Sequence, residues 1–186
     1  MLVDAVLVGR TAGTRLNEKG REQARRIADY FAANRITAVQ SSPQERARET
    51  AKPIAVRAGV PVEIAAAVDE IDVGDWTGQR FAELCEDDLW QLWNRRRSAV
   101  RPPQGETMQE LQTRVLRHIY QTSSARPDGR IVMVSHAEPI RAAVLHVLKL
   151  SLDEFWRIEI APASVSTLII QDDSAEFIAV NETVAA

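Results

Sequence analysis

Cysteine, histidine and basic charge are all in short supply in this chain of 186 residues, and each shortage excludes something. A single cysteine, Cys85, rules out an intrachain disulfide and any multi-cysteine zinc or iron–sulfur site. The three histidines, His118, His136 and His146, are far apart in sequence and leave little material for a dedicated metal site. A net charge of −3 argues against nucleic acid as a partner, which usually demands a basic excess. No apolar run approaches the length that spans a bilayer and no charged-then-apolar leader opens the sequence, so no membrane partner is expected and the expected compartment is the cytoplasm. Repeats, low-complexity tracts and Gly/Ser linkers are absent as well. Residues 1–186 are therefore expected to form one domain, with enough chain to bury a core.

What is present is an alternation of element types. Ala24, Ile27, Ala28 and Phe31 share one face of a predicted helix over Glu18 to Asn34. Ile36 to Gln40 reads as a short buried strand stopped by Ser41-Ser42-Pro43. A second helix follows toward Gly59, with Ser42 as its expected N-cap and a kink expected at Pro53. Val62 to Ile64 fits another strand, Phe81 to Arg97 a helix, and Thr107 to Tyr120 a further long helix. The continuous apolar run Ile131–Val134 is typical of a strand buried on both faces, and a helix over Pro139 to Lys149 follows it. Ser164 to Ile170 and Phe177 to Val180 close the chain as strands. Such alternation predicts an α/β fold, a three-layer sandwich with a mostly parallel central sheet.

Sheets of this kind place ligands at the carboxyl ends of their strands. His136 follows the buried run directly, and Arg46 falls in the first turn of the helix after the first strand. A guanidinium and an imidazole at neighbouring strand ends suit a phosphate ester, since arginine binds its oxygens bidentately and histidine exchanges protons near neutrality. The acidic stretch Val68 to Asp72 leads into Gly74-Asp75-Trp76-Thr77-Gly78, a loop in which a carboxyl group desolvated by Val73 or Trp76 would suit a general acid. Blander readings stand beside these. His136 fits a helix cap or a satisfied core histidine, and Arg46 fits a surface pair with Glu45 or Glu49. His118 and His146 read as structural or surface residues, Arg95-Arg96-Arg97 as a solvated face, and Trp90 and Trp93 as packing. Cys85 has no basic partner to make it a nucleophile.

Taken together, the segments resemble the histidine phosphatase superfamily, which includes cofactor-dependent phosphoglycerate mutase and many small phosphatases. Leu16 to Ala24 resembles its L-[ST]-x-x-G-x-x-Q-A segment, and Ser41 to Thr50 its S-S-P-x-x-R-A-x-x-T segment, whose arginine binds the transferred phosphoryl group. Glu70 to Gly78 resembles E-x-x-x-G-x-W-x-G, whose glutamate is the usual proton donor. Pro103 to Thr107 resembles P-x-G-E-[ST]. Val134 to Ala137 resembles V-S-H-G, with alanine in place of the last glycine, and its histidine is the second pocket histidine.

The resemblance implies a phosphoglycerate mutase-like fold and a metal-independent phosphomonoester hydrolase that needs no cofactor and acts on a small phosphorylated metabolite. A neutral histidine attacks phosphorus, and water hydrolyses the resulting phosphohistidine. The implied site residues are Arg46 and His136 as the phosphoryl clamp, Glu70 as proton donor to the leaving oxygen, and Gly9 offering a backbone N–H to the substrate. The stretch from Gly78 to Gly105 is short compared with the family's glycolytic mutases, which favours a phosphatase over a mutase-type phosphotransferase. The family's defining Arg-His-Gly triplet occurs nowhere in the sequence. Val8-Gly9-Arg10 matches the later phosphate-side loop, so the first strand and its nucleophile are expected to be missing. A late start, omitted residues or true degeneration would each account for that, and Leu2 to Val8 slipping into the vacant place is a further option. A chain of this kind is expected to bind inorganic phosphate or phosphate esters, as a slow enzyme or as a phosphate-binding pseudoenzyme.

Overall fold

The computed structural model describes residues 6–171 and 174–184. Three strands, β1 (Ala38–Ser41), β2 (Val62–Ile64) and β3 (Ile131–Val134), form a parallel sheet in the order β2-β1-β3. Val39 lies level with Val62 on one side and Val132 on the other. Strand β1 is buried along its whole length and its residues alternate between two cores. Val39 packs with Ile27, Ala28, Ala51 and Ile54 of helices α1 (Glu18–Tyr30) and α2 (Glu45–Ala58). The next residue, Gln40, turns to the opposite face, where its side-chain oxygen meets His118 Nε2 of α5 (Met108–Ala125) at 2.8 Å. On that face α5 packs against α6 (Ala137–Val147), and Leu111, Val115, Ala142 and Leu145 join Trp76 and Trp93 in the larger core. Helices therefore cover both faces of a parallel sheet, as the alternation predicts.

Several local expectations are corrected. The predicted helix over residues 81–97 is two pieces, α3 (Phe81–Leu84) and α4 (Asp88–Arg95), because Asp87 caps a new start by accepting from Leu89 N and Trp90 N. Gln44, not Ser42, is the N-cap residue of α2; the helix runs to a left-handed Gly59, as expected, with Pro53 inside it. The C-terminal strands β4 (Ser164–Gln171) and β5 (Ser174–Thr183) pair antiparallel as a separate ribbon. The N-terminal option also changes. Residues 2–5 lie outside those described, and Val6 bridges Arg80 antiparallel while Leu7 exchanges backbone hydrogen bonds with Gly78 and Gln79. The described part of this segment thus lies against the loop before α3. Among the described residues, β3 pairs only with β1.

Helix α5 begins with a reciprocal cap in which Thr107 Oγ1 accepts from Glu110 N and Glu110 Oε2 accepts from Thr107 N. Thr107→Ala is expected to lower stability by about 1 kcal/mol, the usual effect of losing such a cap. Urea denaturation curves that coincide for the two proteins would contradict this.

Candidate functional site

Three loops meet at the carboxyl ends of β1 and β3. Ser41-Ser42-Pro43 leads from β1 into α2, Ser135-His136 leads from β3 into α6, and residues 69–78 form the third loop. Arg46, in the first turn of α2, sends Nη2 to the carbonyl oxygen of Gly9 at 2.8 Å, not to Glu45 or Glu49. Those two carboxylates accept from Gly13 N and Leu16 N, so they hold the preceding loop. The other terminal nitrogen of Arg46, Nη1, is buried and has no partner among the described residues. Burial pulls the Arg46 pKa below its ordinary value, against the opposing pull of Glu70, Asp69 and Glu45. A buried guanidinium N–H without an acceptor is costly unless something supplies one, and an anion would.

His136 is the residue before α6, but its side chain caps nothing. It is buried, and Nε2 sits 2.7 Å from Ser42 Oγ. Ser42 Oγ donates to Asp69 Oδ1 at 2.8 Å, and Gln44 Nε2 donates to Asp69 Oδ2 at 3.1 Å. With the serine proton directed at the carboxylate, Ser42 accepts from the ring, which assigns the imidazole proton to Nε2. Burial, then the positive charges of Arg46, Arg10 and Arg114, push the His136 pKa down to about 3, although Asp69 works in the other direction. The ring is therefore neutral at physiological pH.

Glu70 lies beside this group at the start of its loop. Its Oε1 accepts from Ile71 N, and Arg10 Nε donates to its carbonyl oxygen at 2.7 Å. Burial pushes its carboxyl up to about 7, with the charges of Glu138 and Asp69 adding to the shift and Arg46 and the Ile71 N–H opposing it. Both protonation states are then populated near neutrality, as suits a proton donor. The loop itself is fixed from several directions. Arg114 donates to the carbonyl oxygens of Ala67, Asp69 and Glu70 and pairs with Glu106. Asp75 N donates to the carbonyl of Pro103, and Glu106 N to that of Asp72. Gly74 is left-handed at φ +53°, and a Cβ there would come within 1.9 Å of the Pro103 carbonyl oxygen, so glycine is required.

Arg46, Glu70 and His136 are thus brought to one place, with charges close enough to act on one another. Gly9 joins them by giving its carbonyl to Arg46. Four participants escape the sequence reading: Ser42 as the partner of His136, Asp69, Glu138 and Arg97. Arg97 corrects the expectation of a solvated face. It is 5% exposed, with its guanidinium 4.0 Å from the Trp93 ring and 3.6 Å from the Phe155 ring. Arg95 and Arg96 are exposed as expected. The Trp93–Arg97 spacing of four residues is the one hint the sequence held. Trp90 and Trp93 do pack, edge-on to Trp76. Among the described residues, no three His, Cys, Asp or Glu side chains are gathered as a metal would require, and no helix is long and apolar enough to cross a membrane.

The carboxyl ends of β1 and β3 thus gather the buried Arg46 nitrogen, a neutral His136 and the raised carboxyl of Glu70 beside Asp69. The sequence model of the histidine phosphatase superfamily (branch 1) matches residues 4–183, and the chain belongs to that family. Phosphoserine phosphatase 1 of Hydrogenobacter thermophilus is 27% identical over 159 residues, covering 84% of this chain and 75% of that protein. The bifunctional protein Rv2228c of Mycobacterium tuberculosis is 32% identical over 172 residues, and this chain spans 90% of itself but only 47% of that relative. The solved structure of Bacillus stearothermophilus YhfR superposes with a TM-score of 0.91 at 22% identity, covering 99% of this chain and 92% of that one, a likeness of fold. The phosphoglycerate mutase-like architecture follows.

Proposed function

We propose that this chain carries the phosphate clamp and proton donor of a metal-independent phosphomonoester hydrolase acting on a small phosphorylated metabolite. Arg46 and His136 hold the phosphoryl oxygens, Gly9 contributes its backbone N–H, and Glu70 protonates the leaving oxygen. The observation that carries this reading is the buried Arg46 Nη1, left without an acceptor beside a neutral His136 and a Glu70 that is half-protonated near pH 7. A phosphate dianion supplies that acceptor, and its charge favours protonation of His136, which gives Nδ1 a proton to donate while Nε2 stays on Ser42. Family membership and the phosphoserine phosphatase relative support hydrolysis over other phosphoryl chemistry.

The 186 residues contain no Arg-His-Gly triplet, so none of them is assigned as phosphoryl acceptor. On this reading the domain, residues 1–186, lacks its first strand, and the chain binds phosphate esters while turning them over very slowly. Two measurements test this. Calorimetric titration with inorganic phosphate is expected to show binding, and an aryl phosphate assay at mildly acidic pH is expected to show little hydrolysis. Robust phosphohistidine formation by this chain would refute the second half. The rival reading is a phosphate-binding pseudoenzyme. It is separated from the enzyme by joining a strand ending in Arg-His-Gly ahead of Met1, which restores hydrolysis only if the remaining site is competent.

A further inference from the structure

Asp69 has no step in the reaction proposed above, yet all three loops of the site converge on its buried carboxylate. Oδ1 accepts from Ser42 Oγ at 2.8 Å and from Glu70 N, also at 2.8 Å. Oδ2 accepts from Gln44 Nε2 at 3.1 Å and lies 3.5 Å from Arg10 Nε. One side chain therefore ties the loop after β1 to the start of the 69–78 loop, and reaches the loop before α6 through Ser42 and His136. The protons around Ser42 allow one consistent assignment. A hydroxyl has a single proton to donate and two lone pairs to offer. Gln44 N donates to Ser42 Oγ at 3.2 Å, which occupies one lone pair. The Ser42 proton then has two claimants, Asp69 Oδ1 at 2.8 Å and His136 Nε2 at 2.7 Å. A carboxylate only accepts, whereas a neutral imidazole carries its proton on either nitrogen. With the ring proton on Nε2, Ser42 accepts from the ring and donates to Asp69, and every group is satisfied. With it on Nδ1, a bare Nε2 and Oδ1 compete for one hydrogen.

We propose that Asp69 is a positioning residue of the phosphate site: through Ser42 it fixes His136 as the Nε2–H tautomer, and through its bond from Glu70 N it seats the proton donor. This role rests on the phosphate clamp proposed above. With Nε2 committed to Ser42, Nδ1 is the ring nitrogen left to meet a phosphoryl oxygen. Asp69 thus selects the edge of the ring that an anion meets, and the same oxygen that makes this selection holds the backbone of Glu70. One carboxylate sets the clamp histidine and the acid together.

Nitrogen-15 NMR of the imidazole separates the tautomers, because a protonated and a bare ring nitrogen resonate far apart. The His136 signals are identified by their loss in His136→Gln. In the neutral wild-type ring, Nε2–H is expected to exceed Nδ1–H by about tenfold or more. In Asp69→Ala the Ser42 proton loses its carboxylate and turns to Nε2, so Nδ1–H is expected to become the major form. Asp69→Asn keeps an oxygen where Oδ1 stands and is expected to restore Nε2–H. If Asp69 only supports the fold, Asp69→Ala lowers stability in denaturant and leaves the tautomer ratio as in wild type, and that result overturns the proposal. A wild-type ring found as Nδ1–H overturns it as well, whether or not either variant folds. The clamp is checked in the same spectra by adding inorganic phosphate, which is expected to shift the His136 ring signals of the wild-type chain. Signals that stay unmoved at millimolar phosphate would instead overturn the reading of the site, and the two failures are thus distinguishable.

Discussion

Arg46→Gln is expected to weaken inorganic phosphate binding by about 100-fold, the largest functional effect of any single replacement in the site. The wild-type side chain brings a full charge and a buried donor, Nη1, that has no other acceptor among the described residues. Hydrogen bonds to charged groups contribute roughly 1.5–3 kcal/mol, and 2.7 kcal/mol is about 100-fold in affinity. Glutamine can still reach toward the Gly9 carbonyl, so the loop geometry survives the change better than with alanine. Arg46→Lys is expected to recover only part of the loss, since an ammonium cannot hold the Gly9 carbonyl and an oxyanion in one plane. Calorimetric titration against inorganic phosphate gives the answer directly. Equal affinities for wild type and Arg46→Gln would remove Arg46 from the clamp.

The second large effect concerns stability in acid. His136 titrates at about 3 in the folded chain against an ordinary 6.5, so the folded state binds fewer protons than the unfolded state between those values. Stability contributed at this residue is therefore intact above pH 6.5 and lost progressively as the pH falls toward 3. At about 1.4 kcal/mol per pH unit, the loss over the window is on the order of 3–5 kcal/mol. Glu70 works in the opposite sense. Its pKa is raised from 4.5 to about 7, so the folded state gains relative stability as the pH falls through that interval. The two contributions oppose each other between 6.5 and 4.5, and the His136 loss emerges alone below 4.5. In His136→Gln the acid loss should disappear, so the stability of the variant relative to wild type should rise steadily as the pH falls from 6.5 to 3. Denaturant titrations at a series of pH values measure it. A constant difference would show that His136 is not held neutral by the fold.

How much of this was legible in the sequence differs between fold and site. The apolar run Ile131–Val134 announces a strand, and β3 occupies those four residues, but each is half-buried where the run predicts full burial on both faces, because β3 stands at the edge of the described sheet. The helix breaks are less visible. Asp87 ends one helix and starts another through its own side chain, a local competition that the apolar spacing of Leu84, Leu89 and Trp93 conceals. In the site, Arg46, Glu70 and His136 stand in motifs whose order along the chain is preserved. Ser42 stands in the same motif as Arg46, but its role depends on His136, 94 residues away. Arg97 is harder still. Flanked by two exposed arginines, it becomes a buried residue only because Phe155 and Glu138 arrive from later in the chain. Patterns of near neighbours report which face of an element is apolar, and they do not report which charged residue a distant segment will cover.

The pinning of residues 69–78 has an evolutionary consequence. The loop that presents Glu70 is fastened at one end by Arg114 and Arg10, and at the other by the backbone contact between Gly74 and the Pro103–Gly105 turn. The stretch between Gly78 and Pro102 therefore leaves and returns through anchored points, like a handle riveted at both ends. Its exposed positions are free to vary without shifting Glu70. Leu84 and Trp93 in the core, and Arg97 through Glu138, tie that handle back to the interior. Exposed positions of that one contiguous segment can accordingly be remodelled while Glu70, Arg46 and His136 stay in register.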